Sequence, residues 1–373
     1  MSSNKFILER SLLRRADILL TGDKSLTSLG IRAATASRYS HAALYIGGTT
    51  IEATLDGVFS KSPQRLIFDK ATDILVLRAK RPLSEEEVNA ICDYAQSKVG
   101  SLYSVNEAIT VRARSLLRHK ESERQFCSRL VAKSFEHANF NLINLRNPAF
   151  CTPRQLSLCQ AFEPVPGVVR PASEAEVTFA MTEDPNQTHQ RQTYDWLGKV
   201  RHLVGENEEL AKKWDIQALD DVNSFLLAHP EYDQQISEFM QSSGYLEFYK
   251  IESINNPHRY SSKLLIHQLR QIEDPGDYID DELEKEPGLF RRFGTMQYQL
   301  SQLYKEKNLN FFWLQIRLYN NMLKEILIRV SVIRDTYLSL RMPEEAQNLN
   351  STIETVASVV RQGQELLDGH RPI

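Results

Sequence analysis

Two short segments constrain the fold of this chain more than any other feature. In the first, His41 stands at the head of an apolar run, 42–47, that is typical of a buried strand. In the second, Cys127 opens a stretch, 127–138, with the pattern of a helix. A cysteine at a helix N-terminus feels the positive end of the helix dipole, which lowers its pKa, and a histidine on a rigid strand can take its proton. The two segments therefore predict a thiol nucleophile with a histidine base.

The size and charge of the chain indicate a soluble protein with at least two domains. It has 373 residues, of which 42% are hydrophobic and 25% charged. The net charge of −3 conceals an asymmetry, because residues 1–165 carry 23 basic and 16 acidic side chains, whereas the remainder carries 22 and 32. Residues 1–165 thus have a net charge of +7 and the remainder a net charge of −10. A positive front part suits an acidic substrate or a lipid headgroup.

The sequence favours a cytoplasmic protein without a metal or another cofactor. No apolar run approaches the ~20 residues that a membrane span needs, and charges interrupt the stretch where a signal peptide would have its apolar core. The cysteines show no CxxC or metal-ligand spacing, and we expect them to be reduced. They are Cys92, Cys127, Cys151 and Cys159.

The front part, residues 1–165, predicts an α+β domain. Gly47-Gly48 indicates a hairpin between two strands, and Ser84 is placed to cap a helix with an acidic first turn. The expected elements are a short helix running into a strand over 6–21, a helix or loop over 25–38, strands over 41–47, 50–54 and 73–78, and helices over 85–98, 104–118 and 127–138.

A proline-rich connector, 163–171, indicates a domain boundary near 165–185, and residues 185–373 predict a mainly α-helical domain. The expected helices are 189–204, 207–228, 231–248, 259–272, 295–307 and 311–341. Two Pro-Gly pairs, 275–276 and 287–288, separate helices in this interpretation, and the acidic run 280–284 is a solvated surface segment.

Glu52 is the candidate third member of a catalytic set. It lies one strand after His41, and a carboxylate beside the imidazole would fix the tautomer and stabilise the imidazolium ion. Taken singly, a cysteine before an apolar helix or a histidine beside a strand is usually structural. A carboxylate within an apolar strand is more unusual, because it needs a partner when buried. Tyr45 and Asp69 are the alternative partners of His41.

Residues 14 to about 160 resemble the permuted papain-like amidases, the YiiX-type relatives of the NlpC cell-wall hydrolases. Serine replaces the family's usual aspartate at Ser104, and arginine replaces its glutamate at Arg129. The pieces that carry the resemblance are 16–20 (a "GDI" strand with alanine for glycine), 40–47 with 51–53 and 57–58 (the histidine strand and the next), 99–104 (a "G-x-x-Y-D" turn), 126–131 (the "[FY]-C-S-E-L-V" motif) and 151–156 (a "T-P-x-D-L" segment).

The resemblance implies a permuted papain-like (NlpC-type) fold, in which the histidine precedes the cysteine, with Cys127, His41 and Glu52 as the catalytic set. It also implies that Tyr103 lies near the nucleophile and that the backbone N–H of Cys127 forms half of an oxyanion hole. We add Ser40 and Tyr45 as candidate substrate-binding residues.

The expected activity is that of a cysteine hydrolase or acyltransferase acting on an amide, ester or thioester through an acyl-enzyme. Its substrate would be peptide-like or an acylated lipid or protein, with peripheral membrane contact possible but no transmembrane segment. No nucleic-acid partner is expected, because the basic residues are scattered and no stacking motif accompanies them. The alternative is a binding or regulatory protein with a vestigial hydrolase domain, and residues 185–373 are the candidate surface for a protein partner.

Overall fold

The computed structural model describes residues 5–22, 38–102, 126–143, 145 and 147–369. By their internal contacts these divide into two compact units, residues 1–222 and 223–373. The helix predicted over 104–118 and residues 25–37 of the predicted helix or loop lie outside the described residues. No helix in the described part of the chain combines the length and apolar character that a membrane span requires.

A six-stranded antiparallel sheet forms the centre of the first unit. Its strand order is β5-β4-β3-β2-β6-β7, and a second sheet pairs β1 with β8. The strands are β1 Phe6–Leu8, β2 Ile18–Thr21, β3 His41–Tyr45, β4 Thr50–Thr54, β5 Gly57–Lys61, β6 Ile74–Ala79, β7 Phe162–Pro164 and β8 Val169–Pro171.

The β3–β4 hairpin is confirmed. Gly47 and Gly48 both have positive φ, at 97° and 71°, which is the backbone that a tight hairpin turn requires. The helix expected before β2 is wrong, because this segment contains β1 and a 3-10 turn, Arg10–Leu12. Pairing of β1 with β8 is a contact between distant parts of the sequence, and local patterns do not reveal it.

Two helices of this unit border the sheet, α1 Glu85–Ser97 and α2 Cys127–His137. Ser84 caps α1 in a capping box with Glu87, as its position predicts. Alternate residues of β2 and β3 divide between two hydrophobic clusters. The cluster that includes Cys127 contains Ile18, Leu20, Ala42 and Leu44, and the other contains Leu19, Ala43 and Tyr45.

The remaining helices of this unit follow α2 in the chain. In chain order they are α3 Pro153–Ser157, which precedes β7, then α4 Glu174–Ala180, α5 Pro185–Gly205, α6 Glu208–Lys213 and the start of α7, Leu219–Ala228. The expected boundary near 165–185 thus differs from the division at 222, and the packing of α5 gives the reason.

Helix α5 packs on the end of the sheet through specific contacts. The Tyr194 hydroxyl donates to the carbonyl oxygens of Val58 and Ser101 at 3.2 and 3.1 Å, and Arg201 donates to the carbonyl of Gly100 at 2.6 Å. Gly57 has a φ of 104°, and a Cβ there would lie 1.8 Å from the Tyr194 hydroxyl. The close approach of α5 therefore needs glycine at this position.

The second unit consists of helices in its described residues. They are α8 Asp233–Ser242, α9 Ile251–Asn255, α10 Ser262–Leu269, α11 Pro275–Lys307, α12 Asn310–Ser339, α13 Pro343–Asn348 and α14 Asn350–Gly369, with the end of α7 and several 3-10 turns. The apolar face of α12 is buried or half-buried from Leu318 to Tyr337, and Leu340, just after the helix, is exposed.

Helix α11 is twenty residues longer at its start than the sequence pattern predicts. Pro275 lies in the first turn of α11, where backbone N–H groups have no acceptor within the helix, so the N–H that proline lacks is not missed. Pro287 lies inside the helix. Beside Pro287, the buried Glu286 carboxylate accepts two 2.6 Å hydrogen bonds from Arg329 of α12. The acidic run is part of this helix, and Glu282 pairs with Arg259 at 2.6 Å. Tertiary pairing thus outweighs the local cost of the proline.

We expect truncation to distinguish the two boundaries. A chain ending at residue 229, which keeps α7 whole, should unfold cooperatively in urea. A chain ending at residue 165 loses the buried Trp196, Leu197 and Val200. Its free energy of unfolding should therefore be lower by at least about 4 kcal/mol, from about 1.5–3 kcal/mol for each large apolar side chain. Circular dichroism during urea unfolding measures this difference, and equal stability of the two fragments would show that α5 is not part of the first unit.

Candidate active site

Helix α2 begins at Cys127 because the residue before it is extended. Phe126 has φ −138° and ψ 159°, and its carbonyl accepts the first helical hydrogen bond, from Leu130 N–H at 3.0 Å. The N–H groups of the first turn have no partner within the helix, and together they form the positive end of the helix dipole. The thiol of Cys127 therefore lies where a negative charge is stabilised.

The Cys127 thiol lies beside the start of β3. Its side chain is buried, and Sγ is 3.9 Å from the carbonyl oxygen of Ser40. Burial raises the pKa of the Cys127 thiol, but the hydrogen bond and positive charge of His41, with backbone hydrogen bonds at Ala42 and Ser128, outweigh burial and lower this pKa below its ordinary value. These contacts therefore favour the thiolate form of the sulfur.

His41 and Glu52 form a short hydrogen bond. Their Nε2 and Oε2 atoms are 2.7 Å apart, and the Glu52 side chain is only 8% exposed. Because Nε2 faces the carboxylate, Nδ1 is the ring nitrogen left for Cys127. Burial lowers the pKa of His41, but its hydrogen bonds to Cys127 and Glu52 and their negative charges raise it to about 10. These contacts thus favour the imidazolium form of His41 between the Glu52 carboxylate and the Cys127 sulfur.

Strand register brings Glu52 to His41. Glu52 pairs with Ala43 across the β3–β4 hairpin, so its side chain is diagonal to that of His41 on the adjacent strand. Burial raises the pKa of the Glu52 carboxyl, whereas His41 and Lys61 lower it, and the net direction is downward. The second oxygen, Oε1, is 3.8 Å from Lys61 Nζ, so the buried carboxylate has a cationic group on each side.

The segment before α3 supports the start of α2. Ser128 Oγ donates to the Cys151 carbonyl at 2.8 Å, and the Cys151 thiol is 3.0 Å from the Ser128 carbonyl. Arg129 is buried, donates from Nε to the Ala149 carbonyl at 2.8 Å, and has its guanidinium 4.6 Å from the centre of the Phe126 ring. Burial raises the pKa of the Cys151 thiol, which keeps it protonated.

The structure brings three of the six predicted site residues together, Cys127, His41 and Glu52. Ser40 joins them through its backbone carbonyl. Tyr45 does not, because its ring packs in the hydrophobic cluster that lacks Cys127 and its hydroxyl accepts from Gly48 N–H at 2.9 Å. These contacts place Tyr45 in the packing of the sheet, and substrate binding by Tyr45 stays a prediction.

Tyr103 lies outside the described residues. Asp69, an alternative partner of His41, pairs with Lys5 at 2.7 Å. Sequence reasoning missed Lys61, although the register of the β4–β5 hairpin, once known, puts it on the same face as Glu52.

Comparison with known proteins found one family model that matches part of the chain. Residues 13–153 match the family model described as permuted papain-like amidase enzyme, YaeF/YiiX, C92 family. The matched range starts before β2 and ends at the first residue of α3, so it contains β2–β6, α1 and α2. No curated protein matches the chain.

The lowered pKa of Cys127 predicts selective alkylation. The thiolate fraction grows as the pH rises through the thiol pKa, so iodoacetamide should modify Cys127 at a pH where ordinary thiols, with a pKa of about 8.5, react slowly. Cys92 and Cys151, whose pKa values burial raises, should remain unmodified. Peptide mass spectrometry over a pH series gives the rate at each cysteine. Faster labelling of another cysteine, or labelling of Cys127 that begins only above pH 9, would contradict the lowered pKa of the Cys127 thiol.

Proposed function

We propose that this chain, whose residues 13–153 match the permuted papain-like amidase family model, uses Cys127, His41 and Glu52 to hydrolyse an acyl bond through an acyl-enzyme. The family assigns it to the cysteine hydrolases. The observation that carries the finer proposal is the chain of contacts from the Cys127 thiol through the His41 ring to the buried Glu52 carboxylate. Nucleophile, base and orienting carboxylate are the parts of a covalent catalytic set.

The first half of the reaction forms the acyl-enzyme. The Cys127 thiolate attacks the carbonyl carbon of an amide, ester or thioester, and the backbone N–H groups at the start of α2 face the oxyanion that develops. Imidazolium at His41 gives its proton to the leaving group, whose bond to the carbonyl carbon breaks. Glu52 keeps the ring in the orientation that presents Nδ1 to this side.

Water completes the cycle. It attacks the acyl carbon of the thioester, and its proton moves to the neutral His41 ring. The carbon–sulfur bond then breaks with its electron pair on sulfur, which restores the thiolate–imidazolium pair and releases a carboxylic acid. If an alcohol or amine replaces water, the same steps describe an acyltransferase.

The proposed substrates are peptide-like molecules and acylated lipids or proteins. The excess of basic over acidic side chains in residues 1–165 supports an acidic or headgroup-bearing substrate, because charge of the opposite sign raises its local concentration. A cytoplasmic location and a protein partner for the helical residues beyond 185 remain parts of this proposal. Amide, ester and thioester donors in one panel would identify the acyl bond.

Replacement of Cys127 tests this function. Cys127→Ala should reduce turnover on any active donor of that panel by about 10³-fold or more, because the variant lacks the covalent nucleophile. Its far-UV circular dichroism should stay unchanged. The matched control is Cys151→Ala, a buried neighbouring thiol with a raised pKa, which should retain most activity. A folded Cys127→Ala protein with full turnover would overturn the proposal.

A further inference from the structure

We propose that Lys61 is a positioning residue that acts on His41 through Glu52, an inference that rests on the function proposed above. Lys61 holds the carboxylate oxygen that His41 does not use. Its positive charge also weakens the attraction between Glu52 and the proton on His41. The imidazole is therefore more readily neutral at the step in which it must accept a proton from water.

The geometry is that of one carboxylate shared between two cations. Oε2 of Glu52 is 2.7 Å from His41 Nε2, and Oε1 is 3.8 Å from Lys61 Nζ. The carboxylate is almost fully buried, whereas the Lys61 side chain is 36% exposed. Lys61 thus contacts both water and the buried carboxylate of Glu52. It stabilises part of the negative charge of Glu52, which would otherwise be stabilised by His41 alone.

The backbone of Lys61 is fixed where this contact requires it. Lys61 pairs with Thr50 across the β4–β5 hairpin, so its side chain shares a face with that of Glu52 and lies diagonal to it. The hydroxyls of Thr49 and Thr50 both donate to the Lys61 carbonyl, at 3.0 and 2.9 Å. Only the lysine side chain has to be ordered for the ammonium group to reach Oε1.

The charges around the pair explain why the lysine matters after acylation. Among the described residues, the charges that act most strongly on His41 are those of Glu52 and Cys127. The charges that act most strongly on Glu52 are those of His41 and Lys61. Once the sulfur of Cys127 carries an acyl group, it has no negative charge, and Glu52 is the anion that still favours imidazolium. Lys61 opposes Glu52 at that stage, which increases the neutral fraction of His41.

A titration of His41 without a reactive thiol tests the proposal. In Cys127→Ser, as in the acyl-enzyme, no thiolate faces the ring. NMR of the imidazole C–H groups over a pH series gives the His41 pKa, with the resonance identified by its loss in a His41→Gln variant. Lys61→Met should raise this pKa by about half a unit, the size that a half-exposed ion pair supports. Lys61→Gln should raise the His41 pKa by a similar amount. Lys61→Arg keeps the positive charge and should leave the His41 pKa at its original value.

Two further variants separate action through Glu52 from a general effect of charge. Lys70→Met removes an exposed lysine outside the site and should leave the His41 pKa unchanged. In a Glu52→Gln background, Lys61→Met should shift the His41 pKa by less than half as much as when Glu52 is present. An unchanged or lowered His41 pKa in Lys61→Met, a similar rise in Lys70→Met, or a full shift without Glu52 would each overturn the role of Lys61. These titrations need no turnover, so their failure leaves the nucleophilic role of Cys127 intact, whereas loss of that role appears in the Cys127→Ala assay.

Discussion

The hydrogen bond between His41 and Glu52 is the interaction on which the site depends. A buried carboxylate is costly unless it is paired, and here the partner is a ring that must carry a positive charge to pair best. That positive charge in turn lowers the pKa of the Cys127 thiol. The three groups therefore set one another's protonation states, and removal of any one changes the other two.

The fold supplies this arrangement with two ordinary elements. A hairpin between β3 and β4 places a carboxylate diagonal to a histidine, and the start of α2 places a thiol beside the same strand. The neighbouring residues of β3 and β4 are mostly apolar and buried, which fixes the register of the two strands. A one-residue slip would move these residues, and Glu52 with them, to the opposite face of the sheet. Packing and the geometry of the candidate site thus rest on the same strand pairing.

Local patterns in the sequence predicted the parts of this site but not its surroundings. The glycine pair, the capping serine and the apolar alternation marked β3, β4, α1 and α2, because each depends on neighbours within a few residues. Helix α5 packs on Val58 and Ser101 through a tyrosine more than ninety positions away, which no local pattern reveals. Pro287 looked like the end of a helix, yet α11 continues through it where Glu286 pairs with Arg329. Lys61 was missed because its role follows from strand register, not from its sequence neighbours.

The central claim is that Cys127 carries the acyl group during turnover, and trapping that group tests it most directly. The protein is mixed with p-nitrophenyl acetate, quenched in acid within the first turnover, and digested for peptide mass spectrometry. We predict one acetyl group per chain, on the peptide that contains Cys127, and its absence in Cys127→Ala. Formation should be slow in His41→Ala, which lacks the group that lowers the thiol pKa. Acetyl found on another residue, or acetylation of Cys127 at the same rate without His41, would contradict the account.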